Sequence, residues 1–248
     1  MQPARTIRQK LADGSVVAGM LLTNHVWPEA VEVARDAGLD YLVVDMEHGP
    51  HTVDVVAGVC ELGRVGNFAV LIRPAANDFR TISMAMDLGP CGLILAAVDG
   101  VETMNEVRDA LYLPPRGRRR PGGLGNRWVS DYHYQTWKET VEDHLVVVPQ
   151  IETLQALENV GAIAAHEITT AIGIGPYDLS MALGVDYDRN HPSMVDAIDR
   201  IRSAGEAAGK TMWRMGDPPT LVREGFRFVC MGDPMAVLTD ALRQKLGG

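Results

Sequence analysis

The chain has 248 residues, 46% of them apolar and 22% charged, with a formal net charge of −9. This is the composition of an ordinary soluble globular protein, and the length is close to the ~250 residues of a single (β/α)₈ barrel. The negative charge argues against a general affinity for nucleic acid or an anionic membrane, so an anionic substrate would need local positive groups or a bound cation.

Residues 1–14 are polar and basic and carry no apolar segment of the signal-peptide kind. The first apolar run, 16–22, is too short to cross a bilayer. A helical pattern over 28–37 stops at Gly38, and a second apolar run covers 41–47. Helix 52–62, strand 68–73, helix 80–88 ending at Gly89, strand 92–98 and helix 101–111 continue the series. An insertion, 114–131, then carries PPRGRRRPGGLGNRWVS, followed by a helical piece over 132–142. The alternation resumes with strand 145–152, helix 153–165, strand 171–175, helix 194–208, strand 211–215, helix 218–224, strand 226–231 and helix 234–246. The eight runs are rich in Val, Ile and Leu with little polar alternation, as in parallel strands covered on both faces.

Eight βα units predict one closed (β/α)₈ TIM barrel, an α/β fold spanning 1–248, rather than an open doubly wound sheet. No G-x-G-x-x-G follows the first strand, which further disfavours a dinucleotide-binding fold. The long insertion reads as a functional loop or lid. Its basic run, Arg116 and Arg118 to Arg120, reads as a solvated or subunit-contact surface ahead of a substrate-binding one. Cys60, Cys91 and Cys230 are far apart, odd in number and in or beside apolar runs, so they read as buried reduced thiols in a cytoplasmic protein.

Chemistry in a barrel sits where strands end and βα loops begin. The second run ends in Asp45-Met46-Glu47-His48-Gly49-Pro50, the third in Arg73-Pro74, the fifth in Gln150-Ile151-Glu152-Thr153, and the sixth in Gly175-Pro176-Tyr177-Asp178. Any one of these polar residues could be structural: Asp178 could be a first-turn helix acid, and Arg73 a salt-bridge partner. Together they place carboxylates, a histidine and an arginine at one face. Glu152 and Asp178 close adjacent strands, and two converging carboxylates would repel unless one is protonated or a cation lies between them. Oxygen ligands alone suit a hard divalent ion, Mg²⁺ or Mn²⁺ first and Co²⁺ after them. No lysine closes any of the eight runs, which disfavours a Schiff-base route.

The segments DMEHGP (45–50), LIRP (71–74), MDLG (86–89), PPRG-R (114–119), VPQIET (148–153) and IGPYDLS (174–180) together resemble the HpcH/HpaI aldolase family, in order and over nearly the whole chain. These are class II, metal-dependent aldolases of 2-keto-3-deoxy and hydroxy-keto acids. The resemblance implies that Glu152 and Asp178 ligate the divalent metal. It implies that Arg73 contacts the keto oxygen, and that His48 is the acid/base, acting through a metal-associated water. Asp87 would hold His48 in the right tautomer, Asp45 and Glu47 would support these groups, and Gly175 and Pro176 would shape the carboxylate pocket. It also implies a homo-oligomer, a hexamer built as a trimer of dimers, with the C-terminal helix, about 234–246, exchanged between subunits.

The physics fits these roles. Removing a proton beside a ketone makes an enolate, whose charge a metal and an arginine can stabilise. An imidazole, titrating near ~6.5 in water, passes protons both ways near neutrality. Trp213 and Met215 on the seventh run, and Met46 within DMEH, are departures that could reshape the acceptor side of the pocket, and His25 lies on a loop that could line it. The expected reaction is reversible cleavage of a 4-hydroxy-2-keto acid to pyruvate, or hydroxypyruvate, and an aldehyde. An acyl-CoA lyase, a 2-keto acid decarboxylase and a non-catalytic keto-acid-binding barrel are the alternatives.

Overall fold

The computed structural model of the chain describes every residue except Tyr132, Tyr187, Arg189 and Gly248. Eight parallel strands close in chain order: β1 (Val17–Leu22), β2 (Tyr41–Asp45), β3 (Ala69–Arg73), β4 (Gly92–Leu95), β5 (Val146–Ile151), β6 (Ala171–Ile174), β7 (Thr211–Met215) and β8 (Phe228–Cys230). β8 returns to β1 through the pairs Val17–Phe228, Ala18–Val229 and Gly19–Cys230. This is the expected (β/α)₈ barrel. Every position of β2, β4, β5 and β6 is buried, with barrel interior on one side and helices on the other, which is why these runs show no polar alternation.

The helices are α1 (Gln2–Ala12), α2 (Ala30–Asp36), α3 (Val53–Val65), α4 (Phe79–Asp87), α5 (Val101–Leu111), α6 (Tyr134–Thr140), α7 (Leu154–Glu158), α8 (Val160–Ala165), α9 (Pro176–Ala182), α10 (Pro192–Ala207), α11 (Pro218–Arg223) and α12 (Pro234–Lys245). Proline opens α9, α10, α11 and α12, where its missing N–H costs nothing. Asp78 and Asp217 cap α4 and α11 through the backbone N–H groups of Thr81 and Thr220, each at 3.0 Å. Asp233 does more. One carboxylate oxygen caps α12 at Met235 N, 2.8 Å, while the other accepts from Thr23 N and Asn24 N, tying the start of α12 to the loop after β1.

Three helical features differ from expectation. α1 was not foreseen because its buried side is only Pro3, Ala4 and Ile7, too narrow a stripe to stand out in a basic segment. The expected helix 153–165 breaks at Asn159, whose side chain donates to Asp99 O at 2.8 Å. α9 starts directly after β6, on residues that read only as a strand-end motif. The expected piece 132–142 begins on Tyr132, outside the described residues, and continues as α6 and a 3₁₀ turn over Glu142–His144.

Three of the four arginines of the insertion's basic run pair with the chain's own acids, while Arg118 and Arg120 stay exposed. Arg116 pairs with Asp143 at 3.0 Å, with its guanidinium 3.9 Å from the centre of the Tyr112 ring, and Arg118 pairs with Asp109 at 2.8 Å. Arg119 is 1% exposed and pairs with Asp87 at 2.6 Å.

The barrel axis is filled by aromatic rings. Trp213 Nε1 donates to the Tyr41 hydroxyl at 2.8 Å, which donates to Val229 O at 2.9 Å, and the Tyr41 and Phe228 rings meet edge to face at 5.1 Å. Gly19 makes this possible: a Cβ there would stand 2.4 Å from the Tyr41 ring. Outside the barrel, α12 has no buried residue and exposes Met235, Leu238 and Leu242. Among the described residues, no helix is long and apolar enough to cross a membrane. The three cysteines are free and buried.

Candidate active site

Asp45 and Arg73 are the last residues of β2 and β3 and stand in register. The Asp45 carboxylate is fully buried and accepts from Arg73 Nε at 2.9 Å, Arg73 Nη2 at 2.5 Å, Thr23 Oγ1 at 2.9 Å and the backbone N–H groups of Glu47 and His48. One side chain therefore fixes the arginine and folds the turn that carries Glu47 and His48. Burial works to raise the Asp45 carboxyl, but the hydrogen bonds and charge of Arg73 outweigh it, and the group is held below the usual carboxylate range. Gly49 permits this tight turn, because a Cβ there would meet His51 Nε2 at 2.1 Å.

Glu152 follows β5 and is 8% exposed. Its Oε1 accepts from the backbone N–H of Ala97. Ala97 reaches it from a left-handed conformation, φ 49°, that non-glycine residues rarely adopt. Its Oε2 lies against Gly175, where an added Cβ would stand 2.1 Å from that oxygen and 2.8 Å from Glu152 Cβ. Burial pushes the Glu152 carboxyl up to about 7; the Ala97 hydrogen bond opposes this, the charges of Asp178 and Glu47 add to it, and Arg73 opposes it. Asp178 lies exposed in the first turn of α9. Glu47 Oε2 is 3.3 Å from Arg73 Nε, an ion pair without hydrogen-bond geometry. The mouth thus gathers Glu47 and Glu152 near an arginine already committed to Asp45, with Asp178 close enough for its charge to act on Glu152.

This donor set fits a hard divalent ion. The carboxylates are oxygen donors whose mutual repulsion a cation would relieve, and beside Glu152 on β5 the buried Gln150 Oε1 has no hydrogen-bond partner. No group of three or more His, Cys, Asp or Glu side chains among the described residues forms a metal cage. A metal here would rest on few protein ligands and keep positions open.

The family model for HpcH/HpaI aldolase/citrate lyase matches residues 20–240. The chain belongs to that family. It is 31% identical to hydroxypyruvate/pyruvate aldolase of Pseudomonas aeruginosa, covering 99% of this chain and 92% of the relative. It is 31% identical to 2-keto-3-deoxy-L-rhamnonate aldolase of Escherichia coli (strain K12), covering 96% and 91%. The solved HpcH/HpaI aldolase of Desulfitobacterium hafniense DCB-2 superposes with a TM-score of 0.87 at 26% identity, over 97% of this chain and 95% of that one.

In this HpcH/HpaI family member, Asp45, Glu47, Arg73, Glu152, Gly175 and Asp178 meet at one end of the barrel. His48 is beside them, its side chain 60% exposed and its Nε2 3.6 Å from Glu47 Oε2. Two expected placements are not found. Asp87, at the end of α4, gives its carboxylate to Arg119 rather than to His48, so no His48–Asp87 dyad forms within one chain. Trp213 is 1% exposed in the barrel interior with its indole N–H on Tyr41, and does not line an open pocket. Its neighbour Met215 does: with Pro176, Gly216, Met231, Gly232 and Val237 it lines a cavity of about 650 Å³ at the ends of β6, β7 and β8.

Three site residues carry no assigned role in the sequence reading, although Gln150 stands in the fifth strand-end motif and Thr23 opens the loop after the first strand that could line the pocket. Gln150 shares a strand face with Glu152, two residues on, and that alternation could have found it. Thr23 closes the run after β1, but a lone threonine carries little signal. Ala97 acts through its backbone, which no side-chain pattern reveals.

Proposed function

We propose that this family member is a class II pyruvate aldolase, reversibly cleaving a 4-hydroxy-2-keto acid to pyruvate, or hydroxypyruvate, and an aldehyde. The observation that carries the reading is the convergence of Glu152, raised to about 7, on an Arg73 that Asp45 holds rigid. Glu152 and Asp178 would hold a divalent ion, Mg²⁺ or Mn²⁺, which when bound supplies positive charge for the keto acid's oxygens. Arg73 spends Nε and one Nη2 hydrogen on Asp45, so Nη1 and the second Nη2 hydrogen are the donors left for the keto oxygen.

In the cleavage direction the C3–C4 bond breaks, and the 4-hydroxyl proton leaves for His48 as the aldehyde forms. The bonding pair stays on the pyruvate fragment as its enolate, whose oxyanion Arg73 stabilises, and a proton returned to C3 completes pyruvate. Gly175 leaves Glu152 its place, Pro176 borders the neighbouring cavity, and Met215 stands where the aldehyde portion would lie. Asp87 would act on His48 only through an arrangement beyond one chain. The unburied apolar face of α12 supports its exchange between subunits of a hexamer, and the reduced cysteines support a cytoplasmic setting.

The test is exchange of pyruvate methyl protons with D₂O, followed by NMR with and without EDTA. Exchange that appears with Mg²⁺ or Mn²⁺, vanishes with chelator and is lost in His48→Ala is the expected result. No exchange with pyruvate or hydroxypyruvate would leave the acyl-CoA lyase or binding-only readings.

A further inference from the structure

The opposite end of the barrel holds a cluster of cations that the proposed aldol chemistry does not use. Lys210 and Thr211 lie at the start of β7, Arg227 just before β8, and Arg202 on α10; with Glu206 and Phe226 they line a cavity of about 240 Å³. Lys210 and Thr211 also border an adjoining cavity of about 170 Å³, lined as well by Arg8 of α1 and by Thr170, just before β6.

The charges here are unbalanced in an otherwise acidic chain. Several arginines elsewhere find carboxylates: Arg64 on Glu61, Arg73 on Asp45, Arg108 on Asp109, Arg116 on Asp143, Arg119 on Asp87. Even the neighbouring Arg214 pairs with Glu224 at 3.0 Å. Among the described residues, Arg8, Arg202, Lys210 and Arg227 form no ion pair. Arg227 Nη1 donates only to the carbonyls of Val222 and Phe226, and Arg8 Nη1 to Leu145 O and the Thr170 hydroxyl. The Arg202 guanidinium is held 5.1 Å from the centre of the Phe226 ring, with its Nε buried and unpartnered. Carbonyls and a ring orient these cations without neutralising them. Burial and the charge of Arg8 lower the Lys210 pKa, the response of an ammonium short of counter-charge. Among the described residues, the only acid lining either cavity is the exposed Glu206.

We propose that this floor of the barrel is a binding site for a compact dianionic oxyanion of the phosphate class, held by Arg202, Lys210 and Arg227 with the Thr211 hydroxyl, and with Arg8 at its edge. Guanidinium and ammonium donors lining one cavity with a hydroxyl suit phosphate oxygens, whether of free phosphate or of a phosphomonoester. The site is separated from the mouth by the Tyr41–Trp213–Phe228 plug, so its ligand is not the aldolase substrate.

The experiment is calorimetric titration of the full-length chain with inorganic phosphate, in EDTA so that no divalent metal recruits the anion, at constant ionic strength made up with chloride. The expected result is saturable binding of one phosphate per chain, unaffected by saturating pyruvate. It should weaken about tenfold or more in Lys210→Ala and in Arg202→Gln, each with an unfolding midpoint near that of the parent. Glycerol phosphate is the second arm: tighter binding than phosphate assigns the site to an esterified ligand, and equal or weaker binding to the free ion. No saturable heat, binding unchanged in both variants, or displacement by pyruvate overturns the proposal.

Discussion

Arg73 and Asp45 face each other at matched positions on adjacent strands, and two hydrogen bonds, 2.5 and 2.9 Å, lock the guanidinium to the carboxylate. A planar fork is needed for this, and a point charge on a flexible stem cannot copy it. Arg73→Lys should therefore keep the charge, keep the fold and lose about 10²-fold or more in the rate of pyruvate proton exchange, the scale of removing one oxyanion donor. A rate within a few-fold of the parent would remove Arg73 from the chemistry.

Gly175→Ala tests the packing around Glu152. The new methyl would overlap both Oε2 and Cβ of Glu152, so the carboxylate must move. The expected outcome is at least about a tenfold loss of Mg²⁺ or Mn²⁺ affinity, equivalent to ~1.4 kcal/mol, with a native circular dichroism spectrum. Unchanged metal affinity would argue that Glu152 is not a ligand.

Glu152 also predicts a pH dependence. The folded chain holds its proton up to about 7, whereas an unfolded glutamate releases it near ~4.3. Between these values the folded state binds more protons, so the metal-free protein loses stability as pH rises through that window, by on the order of 3 kcal/mol. Subtracting the profile of Glu152→Gln isolates this slope from that of Asp45, whose lowered carboxyl acts in the opposite sense at more acid pH. The stabilisation by Mg²⁺ should grow over the same window, because a cation competes with that proton. A difference profile flat from pH 4.5 to 7 would contradict the assignment.

Trp213→Phe separates a core residue from a substrate contact. It deletes the indole N–H that meets Tyr41 and leaves a small void, costing about 1–3 kcal/mol in unfolding free energy. KM for the keto acid should hold steady. A raised KM at unchanged stability would return Trp213 to the pocket.

The barrel was legible because its strands are buried on both faces, and the site because Asp45, Arg73 and Glu152 each interrupt an apolar run with a charge. What stayed hidden depends on direction and on distant partners. Whether Trp213 points along the axis or toward the mouth is set by the stagger of β7 against β8, which its own sequence does not encode. Arg119 sits in a run that looks solvated, yet it is buried and its partner is the half-exposed Asp87, 32 residues earlier, a pairing its own neighbours in sequence do not announce. Ala97 contributes a backbone N–H, so no side chain announced it.

The aromatic plug across the axis has a kinetic corollary. With the interior sealed behind the reacting groups, both fragments of a cleaved molecule depart through the doorway by which the intact one arrived. The fragment lodged deeper is then retained until the outer one has gone, which imposes an order of release and makes the leftover fragment a natural product inhibitor.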